Sequence, residues 1–206
     1  LTREGIRIHA PEDFAGMRAA GAAAALILDE VGPRVAPGVT TAELDDFINA
    51  RVAALGLTSA TVGYRGYQHA SCISVNHVVC HGIPGERVLK EGDIVNIDHT
   101  VLLDGWFGDS SRMYSVGAVN ARAKKLVDVT YESLRLGLEQ VKPGNTFGDV
   151  GFAIQKYVEA QRMSVVRDFC GHGIGRVFHD TPNVLHYGRR GEGAVLKPGM
   201  IFTVEP

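Results

Sequence analysis

Apolar and polar residues alternate along this chain with two different periods, and the changes of period mark its elements. From Pro11 to Gly32, "PEDFAGMRAAGAAAALILDEVG" places Phe14, Met17, Ala24, Leu28 and Val31 near one face, the repeat of an amphipathic helix. Acids fill the first turn and Gly32-Pro33 stops it. A second helix is predicted after Thr40, ending near Gly56. The period then shortens to that of strands around 70–76, 93–102 and 106–116. The order starts again with Asn120, placed to cap a helix running to about 141, and Thr146, placed to cap another to about 162; strand-like segments follow. Helix pairs followed by antiparallel strands, twice over, predict an α+β fold with helices on one face of a curved sheet.

The repetition reaches individual residues. Pro37-Gly38 and Pro143-Gly144 recur 106 positions apart, while Gly92 and Gly199, Asn76 and Asn183, and Asp98 and Glu205 each recur at 107. Thr40 with Glu43, and Thr146 with Asp149, are both Thr-x-x-acid helix starts, in which the hydroxyl caps a backbone N–H and the acid reaches back to the cap. So long a period is not a solenoid unit and reads as a duplication. Two halves, roughly 10–117 and 118–206, are expected to cover each other's apolar faces within one domain spanning 1–206.

The acids are the unusual part of the strands. "NIDHTVLLDGWFGDSSRMYSVG" reads as a β-hairpin turning at Asp104-Gly105. A two-residue loop sets Thr100 opposite Asp109 and Asp98 opposite Ser111; a four-residue loop over 102–105 sets Asp98 opposite Asp109. Either register projects Asp98 and Asp109 from one face, expected to be the face holding the apolar core. Two buried carboxylates repel unless a positive charge lies between them. A lone strand Asp more often pairs with a nearby Arg. Two on one face, with Glu205 at the equivalent point of the second half, favour a divalent ion such as Mn²⁺, Fe²⁺, Co²⁺ or Zn²⁺. His172, between glycines in "CGHGIG", joins them as a candidate ligand, since flanking glycines permit close approach. His9, His69, His77, His99 and His186 lack such a context and are read as structural.

Composition narrows the partners. Of 206 residues 45% are hydrophobic and 21% charged, with net charge −2, so no broad basic field is present to attract nucleic acid. The run "AAGAAAALIL" is too short to span a bilayer, and "LTREGIRIHA" lacks the apolar core of a signal peptide. Cys72, Cys80 and Cys170 show no C-x-x-C spacing, which suits a reducing cytosol.

With "CHGIP" (80–84), "NIDHT" (96–100), "GDSS" (108–111), "CGHGIG" (170–175), "FHDTP" (178–182) and "FTVEP" (202–206) in this order, the chain resembles the type I methionine aminopeptidases, metallopeptidases of the pita-bread fold. The resemblance implies that Asp98, Asp109, His172 and Glu205 ligate two divalent ions (Co, Mn, Fe or Zn), which acidify a water and polarise the scissile carbonyl. It further implies that Glu205 accepts the water's proton, His179 stabilises the oxyanion and His81 holds the peptide nitrogen. A methionine pocket maps to Tyr64, Tyr67, Cys72 and Phe178, with His81 and His179 also touching substrate. The implied substrates are the N-terminal peptides of nascent proteins, preferably with a small second residue. A cytoplasmic monomer is implied, with the ribosome a candidate partner and neither nucleic acid nor membrane involved. The alternative from another class is a non-catalytic pita-bread module that binds proteins. Arg65 and Phe107 stand where the family usually or often has His, and His99 replaces a small or β-branched residue. Leu1 stands where a start Met is expected, and no bridging glutamate follows before Pro206; a fragment of a longer product is the expectation.

Overall fold

The computed structural model describes residues 1–206. Its chain divides into two compact units, one of Ala15–Lys124 and one of Leu1–Phe14 with Lys125–Pro206.

In the first unit, α1 (Phe14–Val31) and α2 (Thr41–Ala54) lie against a four-stranded antiparallel sheet. Thr40 caps α2 as its Thr-x-x-Glu start predicts, its hydroxyl accepting from Glu43 N–H while the Glu43 carboxylate accepts from Thr40 N–H at 2.7 Å. The sheet is built on β3 (Ile94–Leu103). Along one edge runs β4 (Trp106–Ser115); along the other run β2 (Ser71–Val75) and the two-residue β1 (Thr58–Ser59), which the sequence pattern did not mark. Ala24, Ile27, Leu28 and Val31 of α1 and Leu44, Ile48 and Val52 of α2 form one core with Ile73, Val75, Val95, Ile97 and Val101. Phe14 and Met17 are only half-buried.

In the second unit, α3 (Ala121–Leu138) packs on α4 (Phe147–Ala160) so closely that a methyl on Gly137 would stand 2.8 Å from Ile154 Cδ1. The predicted caps are present: Asn120 Oδ1 accepts from Ala123 N–H at 2.9 Å, and Thr146 and Asp149 reciprocate at the start of α4. Two short antiparallel strands follow, β5 (Gly171–Gly173) and β6 (Asp180–Val184). The tail adds to β5, with a bridge between Gly173 and Phe202 and Thr203 N–H donating to His172 O at 2.8 Å. Val150, Ile154, Val184 and Leu196 centre this unit's core.

Candidate active site

The β3–β4 hairpin turns through two residues, Asp104 (φ 49°) and Gly105 (φ 81°), the left-handed pair of a tight hairpin turn. Its register sets Asp98 opposite Ser111 and Thr100 opposite Asp109, so Asp98 and Asp109 are diagonal neighbours on one face. That face is not the one expected. Val95, Ile97, His99 and Val101 fill the side packed on the helices, while Asp98 and Asp109 are only half-buried on the other. The alternation decides it: Asn96, Asp98 and Thr100 share one parity, and three polar residues in succession belong outside an apolar core. The carboxylates thus keep part of their hydration, and the cost of burying two like charges is smaller than a core position would impose.

His99 follows Asp98 but points into the core. Its Nε2–H donates to the Ala24 carbonyl at 2.9 Å, and its Nδ1 is buried without a partner. Burial pushes its pKa down, with the Ala24 bond and the Asp109 charge working against that shift. It is a structural histidine, as read from the sequence.

Further groups line up beside Asp98. Cys72 of β2 is its direct cross-strand partner, and the Tyr67 hydroxyl accepts from Cys72 Sγ at 3.5 Å. Burial, first, pushes the Cys72 thiol up; the Tyr67 bond works against that shift and the Asp98 charge adds to it. Tyr64 begins a short turn (Tyr64–Gly66) in which Arg65, at φ 49°, holds its guanidinium 5.3 Å from the Tyr64 ring centre. The "CHGIP" loop is stitched to β2: Ile73 N–H donates to Gly82 O at 2.7 Å, and Gly82 N–H to Ser74 Oγ at 3.0 Å. A Cβ at Gly82 would meet Ile73 O at 2.2 Å, so only glycine permits this docking. It leaves His81 exposed, at φ 55°. Asp109 is steadied by Thr100 Oγ1, which donates to Oδ1 at 2.9 Å.

The second unit gathers a matching group around β5. The glycines beside His172 admit neighbouring backbone: a Cβ would meet Thr203 O at 2.4 Å from Gly171 and Thr181 O at 2.1 Å from Gly173. His172 Nδ1 lies 3.0 Å from Gly173 O; a carbonyl can only accept, so Nδ1 carries a proton, and in the neutral ring the lone pair is on Nε2. Nε2 stands 3.8 Å from Glu205 Oε1. The His179 ring lies 4.3 Å from that of His172 and stacks on Phe178 at 4.1 Å. Thr203 joins strand and acid, accepting from His172 N–H at 2.9 Å and donating to Glu205 Oε1 at 2.6 Å. Two supports escaped the sequence reading. One is Thr203. The other is His186, read as merely structural, whose Nε2 accepts from Glu205 N–H at 3.0 Å. Burial pushes His186 down to about 4, which keeps it a neutral acceptor. Thr100 and Thr203 offered a readable signal, a hydroxyl two residues from each recurring acid; His186 offered none.

The donor chemistry suits a divalent ion. Imidazole nitrogen and carboxylate oxygen both serve as ligands for such ions, and His172 Nε2 and Glu205 Oε1, 3.8 Å apart, are near enough that both would help to hold one. As the side chains stand, no group of three or more His, Cys, Asp or Glu is close enough to hold one.

The family model of Metallopeptidase family M24 matches residues 15–206. The methionine aminopeptidase of Rickettsia prowazekii (strain Madrid E) is 54% identical over 201 residues, which are 98% of this chain and 78% of that protein. The crystal structure of methionine aminopeptidase from Rickettsia prowazekii matches with a TM-score of 0.95 at 53% identity, covering 97% of this chain and 80% of that one. That of methionine aminopeptidase from Thermotoga maritima matches with a TM-score of 0.92 at 41% identity, covering 95% and 79%. With half its residues in common with such a relative along nearly its whole length, the chain belongs to metallopeptidase family M24, among the methionine aminopeptidases, and has their pita-bread α+β fold.

Proposed function

We infer that this chain is a metal-dependent aminopeptidase that removes the N-terminal methionine from peptides and nascent proteins, preferably before a small residue. The observation that carries the reading is the 54% identity to a methionine aminopeptidase across 98% of the chain. The pairing of Cys72 with Asp98 across two strands supports it, since it sets a soft, polarisable group beside a carboxylate.

Asp98, Asp109, His172 and Glu205 are the proposed metal ligands, for a pair of ions among Co, Mn, Fe and Zn. Bound there, such ions supply Lewis acidity for the scissile carbonyl and lower the pKa of a water. The chain's residues do the rest. Glu205, held by Thr203 and His186, takes the proton of the attacking water on its carboxylate. His179 donates to the carbonyl oxygen as negative charge develops on it, and His81 holds the peptide nitrogen. Tyr64, Tyr67, Cys72 and Phe178 receive the methionine side chain, a thioether suited to aromatic and sulfur contacts. The proposed setting is the cytoplasm, with nascent chains as substrate and the ribosome as the candidate partner. No helix is long and apolar enough to cross a membrane.

The test is release of free methionine from Met-Ala-Ser with added Co²⁺ or Mn²⁺, against excess chelator and a Gly-Pro control. Metal-dependent release from the methionine peptide alone is expected. A folded, metal-supplemented chain that binds the peptide without cleaving it would point to the protein-binding module instead.

A further inference from the structure

Asp45 is a buried carboxylate of α2, 6% exposed, on the helix face that otherwise carries Leu44, Ile48 and Val52. Its partners are a hydroxyl and an imidazole. Oδ1 accepts from Ser71 Oγ at 2.6 Å and Oδ2 from His69 Nδ1 at 3.2 Å, the imidazole tautomer following because a carboxylate can only accept. The bonds continue past Ser71. Its carbonyl accepts the Tyr67 hydroxyl at 2.8 Å, and the Tyr67 oxygen in turn accepts the Cys72 thiol at 3.5 Å. The His69 ring stands edge-on to that of Tyr67, centres 5.5 Å apart. All of these residues lie within Ala15–Lys124. The Tyr67 hydroxyl hydrogen is thus directed at the Ser71 carbonyl, and the Cys72 thiol hydrogen at the Tyr67 oxygen.

We propose that Asp45 is a positioning residue for the methionine side chain. Through Ser71 and His69 it fixes Tyr67 and Cys72 so that both polar hydrogens are spent inside the protein, and the wall they form offers the substrate no donor. A thioether is only a weak acceptor and loses little against such a wall. A side chain of similar length that needs hydrogen bonds, such as glutamine, is left unsatisfied there and is rejected. The proposal rests on the assignment of Tyr67 and Cys72 to the methionine pocket. It adds a source of selectivity that touches no substrate itself.

Asp45→Asn keeps the shape but turns one acceptor oxygen into an NH₂ donor, so either Ser71 or His69 loses its acceptor. The Ser71 carbonyl is then less well held, and Tyr67 is released to offer its hydroxyl to the substrate. The test measures kcat and KM for Met-Ala-Ser and Gln-Ala-Ser in the metal-supplemented chain, its Asp45→Asn and Ser71→Ala variants, and the double variant. For Asp45→Asn, KM for the methionine peptide should rise about fivefold with kcat within about twofold, the mark of lost side-chain binding. The ratio of kcat/KM between the methionine and glutamine peptides should fall about tenfold, on the scale of one net hydrogen bond gained by the glutamine side chain. Ser71→Ala should move the ratio the same way, with the double variant no worse than the stronger single, because the two residues act in one chain of bonds. The ratio is measured on the same folded molecules, so loss of stability alone leaves it unmoved. Should Asp45→Asn fail to fold, Ser71→Ala carries the comparison. An unchanged ratio in an active background overturns the Asp45 proposal and leaves the aminopeptidase standing. A parent chain that releases no methionine overturns the aminopeptidase reading, and the Asp45 proposal with it.

Discussion

A methyl group added at Gly108 would stand 2.2 Å from the Ala20 carbonyl oxygen and 2.9 Å from Gly21 N. Helix α1 and strand β4 therefore meet backbone to backbone one residue before Asp109, and the missing side chain sets the depth at which that carboxylate is presented. Gly108→Ala should force the strand away from the helix and lower unfolding stability by about 2 kcal/mol, the usual cost of overfilling a packed site. It should also weaken metal-dependent activity, since Asp109 moves with the strand. Gly21→Ala is the matched control: nothing lies within 4 Å of its Cβ, and alanine in a helix gains roughly 0.5–1 kcal/mol over glycine. Urea denaturation of the two variants distinguishes packing from propensity, and equal effects would show that the contact with Ala20 is not what Gly108 is for. Legibility at this scale was uneven. Asp98, Asp109, His172 and Glu205 stood out because an acid is conspicuous in an apolar run and a histidine between glycines is conspicuous anywhere. His186 did not, because "VLHYG" reads like any strand end, and only the fold reveals that its buried ring receives the backbone of Glu205.

Among the elements, helix starts were the most legible feature. Thr40 with Glu43 and Thr146 with Asp149 announce themselves locally, and each closes as a capping box. Gly38 and Gly144, just before them, share φ 94°. The hairpin was also legible, down to the choice between its two loop lengths, which sequence alone left open. What misled was the face. An acid in a strand of Ile, Val and Leu invites a buried reading, yet the side turned to the helices is set by Val95, Ile97 and Val101, with His99 among them. A polar residue in the apolar parity blurs the very alternation on which the assignment depends. The caps give the element-scale prediction. Thr146→Ala removes the acceptor for Asp149 N–H and should cost about 1 kcal/mol, typical for a lost N-cap. The Thr146 N–H and hydroxyl hold the Asp149 carboxyl below its ordinary 3.8. A carboxyl depressed on folding stabilises the folded state above its unfolded pKa, and that contribution is lost as pH falls through the folded value. The penalty of Thr146→Ala, complete at neutral pH, should therefore shrink as urea midpoints are followed below about pH 4, where the carboxyl begins to protonate in the unfolded chain. A penalty independent of pH would mean that the hydroxyl, not the carboxylate, supplies the whole cap.

Across the whole chain, the proposed ligands lie on elements held by backbone pairing: Asp98 and Asp109 on two paired strands, His172 on a strand whose glycines admit neighbouring backbone, and Glu205 on a tail stitched to it. An ion that prefers the folded chain to the unfolded one stabilises it by mass action. At about 100 times its dissociation constant a single ion adds roughly 2.7 kcal/mol. For a chain of this size each kcal/mol moves the melting temperature by about 2–4 °C, so Co²⁺ or Mn²⁺ should raise it by roughly 5–10 °C and excess chelator should reverse the rise. The shift needs no substrate and no turnover, and so tests the ligands apart from the chemistry. Asp98→Asn and His172→Ala should each abolish most of it. Asn96→Ser, on the same strand face but not a proposed ligand, should leave it intact. If the rise survived in both ligand variants, the ions would be binding elsewhere, and the assignment of Asp98 and His172 would have to be given up even if the chain still released methionine.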